Sequence, residues 1–199
     1  RKMFYTLIRG LLSSFLIILS LKVEGLHNLP QKVPVIVAAN HVSNWDPILV
    51  GVAINRPVHF MAKAELFHNP LLGTILRGLN AFPVNRGSAD RNAIRQALEL
   101  LEKGETLGIF PQGGRRQDTA ESSIQPGVGM LAMKSRAAVV PVAVIGTKGG
   151  FPLGWIKPLR VIIGKPLDLS TYYQEKYSSR LLGTVSQEIM AQINLLLCK

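Results

Sequence analysis

Asn40-His41-Val42-Ser43-Asn44-Trp45-Asp46 sets a histidine and an aspartate five positions apart, directly after the apolar run Val35-Ile36-Val37-Ala38-Ala39. If that run is a strand, His41 stands at its carboxyl end, where open α/β sheets bind ligands. A loop of this length can fold back and bring the Asp46 carboxylate to imidazole Nδ1. The carboxylate would fix the tautomer, leave Nε2 as proton acceptor and stabilise the imidazolium that forms. A base and its orienter still need a nucleophile. The chain has no G-x-S-x-G elbow, and its single cysteine, Cys198, sits beside the C-terminus. The completion is a substrate hydroxyl, deprotonated by His41 as it attacks a thioester carbonyl. That chemistry is direct acyl transfer. The plainer alternative makes Asp46 a helix N-cap and His41 a satisfied loop histidine. Taken alone, H-x4-D favours that alternative.

A second group of residues bears on the choice. Phe110-Pro111-Gln112-Gly113-Gly114-Arg115-Arg116 also follows a strand-like run. Paired glycines let backbone N–H groups approach a ligand, and arginines can grip a phosphate bidentately. Asn85-Arg86-Gly87 ends a third such run, and Lys63 a fourth. Each cation alone reads as solvated surface charge. Together they place three cationic sites beside a base, as a phosphate-bearing substrate requires.

The elements that position these residues follow from pattern. Strands are expected at 35–39, 58–61, 81–84, 106–110, 139–145 and 160–163. Asp46 and Asn69, each followed by Pro, read as N-caps of helices over 47–54 and 70–77. Ile94, Ala97, Leu98 and Leu101 lie at helical spacing within 90–103, with Gly104 as the stop. Residues 126–136 form another helix, and Leu181, Val185, Ile189 and Ile193 mark the last. Alternating strands and helices predict an α/β fold with a mixed, largely parallel sheet flanked by helices.

Residues 3–21 are apolar, but the uncharged run is only Gly10 to Leu21. A spanning helix needs about 20 apolar residues. Arg1, Lys2, Arg9 and Lys22 flank or interrupt the run, and such side chains can snorkel. An interfacial helix on an anionic membrane is one reading. A helix packed on the core and a truncated anchor are the others. No small-residue cleavage site closes the stretch, so no cleavable leader is expected. The division expected is a helical membrane-associating element over 1–24 and an α/β domain over 25–199.

Composition agrees. With 23 Lys and Arg against 12 Asp and Glu, the formal charge is +11, while 47% of residues are hydrophobic and 18% charged. The chain is too apolar to be disordered. Greasy and basic together points to an anionic surface or an anionic amphiphile. A nucleic-acid partner is not expected, because the cations fall at separate strand ends with no aromatic-interleaved basic stretch. His27, His59 and His68 have no metal-ligand spacing with His41, and no metal site or cofactor is expected.

Four ordered motifs resemble the glycerolipid acyltransferase family. Asn40-His41 with Asp46 matches its N-H-x4-D. Phe82-Pro83-Val84-Asn85-Arg86 matches the block ending in Arg. Phe110-Pro111-Gln112-Gly113-Gly114-Arg115 matches F-P-E-G-T-R, and Val140-Pro141-Val142 matches V-P-V. Lys63-Ala64-Glu65-Leu66 matches a K-x-E-L element between the first two.

The resemblance implies transfer of a fatty acyl group from acyl-CoA or acyl-carrier protein to the free hydroxyl of lysophosphatidic acid, forming phosphatidic acid. It implies His41 as base and Asp46 as orienter. Lys63, Arg86, Gly113 and Arg115 would hold the acceptor phosphate, at a monotopic enzyme on the cytoplasmic membrane face. Gln112 stands where the family has Glu, and Gly114 where it has Thr. The first loses a charge and keeps hydrogen bonding. These departures bear on the acceptor headgroup more than on the base. Another lysophospholipid or a lyso-aminolipid is therefore the alternative acceptor, and a non-catalytic lipid-binding module the rival class.

Overall fold

The computed structural model describes residues 2–18, 20–85, 90–114, 124–148 and 158–199. After the first helix α1 (Lys2–Ile18), the strands are β1 (Lys22–Glu24), β2 (Val35–Ala39), β3 (Val58–Lys63), β4 (Ala81–Val84), β5 (Thr106–Ile109), β6 (Ala138–Ile145) and β7 (Arg160–Ile163). Between and after them run α2 (Asp46–Ala53), α3 (Pro70–Gly78), α4 (Arg91–Glu102), α5 (Gly127–Ser135) and α6 (Ser179–Leu197). The strands form one sheet in the order β1-β7-β6-β2-β5-β3-β4. Among the described residues only β6 and β7 pair antiparallel, and the other pairings are parallel. The mixed, largely parallel sheet expected from the alternation is present.

β2 lies at the centre, and all five of its residues are buried. A continuous β-branched run with no alternation is what a strand covered on both faces requires. One face carries a core of Leu16, Leu49, Val50 and Ile54 packed on Val35, Val37 and Val140. The opposite face holds Ile36, Leu107 and Val139 under Leu101, Leu131, Val185 and Ile189. The four-residue spacing in α6 is thus a buried stripe. Pro141 sits inside β6 without breaking it. Its carbonyl accepts from Gly164 on the β7 side, one residue beyond the last β6–β7 pair. The missing N–H therefore faces the side where the ladder has ended.

Helix starts follow their caps. Asn69 accepts from Leu72 N–H and Asp90 from the N–H groups of Asn92 and Ala93. The Asp90 carboxyl is held below its ordinary range, first by the Ala93 N–H and then by that of Asn85. One expected cap is absent. Asp46 is the first residue of α2, not its N-cap, and its carboxylate bonds backward to the preceding loop.

Residues 22–24, expected at the end of the helical element over 1–24, form an edge strand of the sheet. They are exposed and too short to show alternation. Arg9 also departs from expectation. Its guanidinium does not snorkel outward but donates to the carbonyls of Gly51, Val52 and Ile54 at the end of α2. A cation there satisfies orphan carbonyls at the negative end of the helix dipole. It also ties α1 to the sheet layer, where Tyr5 and Leu16 are buried. The other face of α1 exposes Met3, Leu7 and Leu11. Among the described residues no helix is long and apolar enough to cross a membrane.

Candidate active site

The site begins where β2 ends. The ladder from β2 to β6 closes at Ala39 and Val142. The Asn40 side chain continues it, accepting from Val144 N–H at 2.7 Å and donating to Val144 O at 2.9 Å. That pair anchors the chain immediately before His41.

His41 is 8% exposed and Asp46 is fully buried. His41 Nδ1 lies 2.9 Å from Asp46 Oδ2. The same oxygen accepts from the N–H groups of Val42 at 2.6 Å and Ser43 at 2.7 Å. Thr147 Oγ1 donates to the other oxygen, Oδ1, at 2.7 Å. Donors from Val42, Ser43 and Thr147 converging on one carboxyl group make the pattern of an acceptor-only carboxylate. Nδ1 must then carry the proton, and Nε2 is left with its lone pair. The loop of 41–46 does what its length allows, and Asp46 is engaged by the loop and Thr147 rather than by its own helix.

Two further contacts hold the imidazole. Phe110 stacks on it with ring centroids 4.2 Å apart, and Phe60 stacks on Phe110 at 5.9 Å. Gly108 makes that stack possible, because a Cβ there would fall 2.2 Å from Phe60 Cε1. Gln112 Oε1 accepts from the His41 backbone N–H at 2.7 Å. An amide oxygen fills that role without a charge. Gly113, at φ +66°, turns the chain after β5, and its N–H returns to Phe110 O.

The N–H groups of His41, Val42, Ser43 and Gly113 are thus committed internally. None of these four is left over to stabilise an oxyanion. Lys63, the last residue of β3, has a half-exposed side chain paired with Glu65 Oε1 at 3.0 Å. The Glu65 carboxyl is held below its ordinary range, first by a backbone hydrogen bond and next by Lys63. Arg86 and Arg115 lie outside the described residues, as do Arg116 and Trp155.

A cavity of about 590 Å³ opens beside the imidazole. His41, Phe60, Phe110, Leu72, Ile75 and Leu76 are among its walls, and α1, α2, α3 and β3 enclose it. The size lies within the roughly 300–1,000 Å³ of small-molecule sites. The lining is mostly hydrocarbon, so it suits a flexible apolar chain whose end reaches Nε2. Sequence reasoning named His41, Asp46 and Gln112 but missed Thr147. Thr147 is 101 positions from Asp46. Its one available signal was its place just past the V-P-V strand, at the same sheet edge.

Comparison with known proteins gives consistent matches. The family model "Acyltransferase" matches residues 20–145. The 1-acyl-sn-glycerol-3-phosphate acyltransferase of Bacillus subtilis is 36% identical over 148 residues, 73% of this chain and 73% of that protein. A lyso-ornithine lipid O-acyltransferase of Pseudomonas aeruginosa is 33% identical over 120 residues, 60% of this chain and 46% of that protein. The crystal structure of the 1-acyl-sn-glycerophosphate acyltransferase from Thermotoga maritima superposes with a TM-score of 0.67 at 26% identity, covering 98% of this chain and 82% of that one.

Proposed function

Because the chain belongs to the Acyltransferase family, we propose that it moves a fatty acyl group from a thioester donor to the free hydroxyl of lysophosphatidic acid, forming phosphatidic acid. The observation that carries this reading is a buried His41–Asp46 pair at the mouth of an apolar cavity. His41 Nε2 takes the proton of the acceptor hydroxyl as its oxygen attacks the thioester carbonyl. The tetrahedral intermediate collapses, the carbon–sulfur bond breaks, and the leaving thiolate recovers the proton from the imidazolium. Asp46 holds the ring in the reactive tautomer throughout and offsets the positive charge that builds on it.

The donor's acyl chain lies in the cavity, where each methylene removed from water contributes about 0.8 kcal/mol. Lys63, Arg86, Gly113 and Arg115 hold the acceptor phosphate. Acyl-CoA and acyl-carrier protein are both anionic and both suit a chain of +11. The exposed face of residues 1–24 rests on the cytoplasmic leaflet, as a monotopic contact.

An acceptor panel tests the reading. With one acyl-CoA, CoA release should be fastest with lysophosphatidic acid. Faster release with a lyso-aminolipid would replace the acceptor. No release with any lysolipid would leave a non-catalytic module.

A further inference from the structure

Exposed large apolar side chains collect on one side of the molecule. α1 contributes Met3, Phe4, Leu7 and Leu11, while α3 and the short turn before it contribute Leu66, Leu71, Leu72 and Ile75. These segments are distant in sequence but adjoin in space. The Phe4 ring packs where a Cβ on Gly78 would stand, 2.6 Å from Cε1. Leu66, Leu72 and Ile75 are exposed and also line the cavity beside His41. The cavity therefore opens through this apolar face.

Charge on the two helices of the face has one sign. Neither α1 nor α3 contains an Asp or Glu. Glu65, in the turn before α3, is paired with Lys63. Arg77 closes α3 and lies over the Phe67 ring, 5.2 Å from its centroid. An apolar face on two acid-free helices, with Glu65 in the turn before α3 paired to Lys63, fits the headgroup and acyl boundary of an anionic bilayer. It does not fit a second copy of a chain that carries +11.

We propose that α3, with Leu66, is a second membrane-contact element beside α1, and that the cavity opens between them into the bilayer's acyl region. This rests on the acyl-cavity reading above. The acyl chain seated in the cavity then borders lipid rather than water. An exposed apolar rim at the mouth of an acyl-sized cavity would otherwise face solvent on both counts.

Leu71 gives the cleanest test. It is 72% exposed and does not line the cavity, so Leu71→Glu removes surface contact without touching the site. The full chain is titrated with vesicles of equal parts phosphatidylcholine and phosphatidylglycerol. Turnover is measured in parallel on a short-chain acyl-CoA and a monomeric short-chain lysolipid, without vesicles. The account expects vesicle affinity to fall at least about tenfold, with soluble turnover unchanged. The rate on long-chain substrate presented in the vesicles falls in step with binding. Unchanged vesicle affinity overturns the proposal. Equal loss of soluble turnover also overturns it, by making α3 part of the catalytic framework. If the wild type dimerises without lipid and Leu71→Glu makes it monomeric, the face is a protein interface and the proposal fails. A wild type that binds vesicles but turns over no soluble substrate would refute the catalytic reading alone.

Discussion

Thr147→Val removes one hydroxyl and nearly preserves shape. Thr147 Oγ1 stands 2.7 Å from Asp46 Oδ1, and both residues are buried. Among the described residues it is the group bonded to that oxygen. Valine would leave Oδ1 of a carboxylate without its donor and without water to replace it. Hydrogen bonds to charged groups contribute roughly 1.5–3 kcal/mol, and an orphaned charged acceptor costs at least as much. Stability should fall by about 2 kcal/mol. In a domain of 150–250 residues that lowers Tm by roughly 4–8 °C. Oδ2 still holds His41 Nδ1, Val42 N–H and Ser43 N–H, so the loop keeps its path, but the carboxylate is free to turn. A loss of about 1.4 kcal/mol in the transition state is tenfold in rate. The expectation is therefore kcat down about tenfold with the acceptor KM unchanged. Thr147→Ser, which keeps the hydroxyl, should restore kcat. The assay is initial rate of CoA release, with Tm read in parallel. Wild-type kcat in Thr147→Val would refute the argument. So would a serine variant that recovers Tm and not kcat, since the hydroxyl would then serve the fold alone.

Two other changes probe the supports of His41. Gln112→Leu leaves the His41 N–H without its acceptor and should lower kcat about tenfold, whereas Gln112→Glu keeps the bond and matches the family pattern, so it should spare both kcat and the KM for lysophosphatidic acid; both are read from acceptor titrations. Gly108→Ala drives a methyl group into Phe60, which should cost about 1–3 kcal/mol by overpacking and disturb the stack on His41, visible as lowered Tm and lowered kcat together.

The central fold was legible because its signals are local. β2 is a β-branched run buried on both faces. α4 carries its apolar spacing between Asp90 and Gly104, a cap and a stop that work by backbone chemistry within a few residues. β1 gave no such signal, since three exposed residues have no period and gain their structure from pairing with β7. His41 and Asp46 were readable as a pair because five positions can close on themselves. Their local spacing could not separate a helix cap from a catalytic orienter. What separates them is tertiary: Thr147 and Gln112 reach the loop from two other strand ends. Arg9 is a similar case, a cation in an apolar helix whose acceptors lie more than 40 positions away.

The central claim is that His41 Nε2 is the base. His41→Ala, purified in detergent and shown to melt as cooperatively as the wild type, is assayed with labelled acyl-CoA and lysophosphatidic acid. The account predicts loss of phosphatidic acid formation with vesicle binding retained. Near-normal turnover in that variant would contradict it.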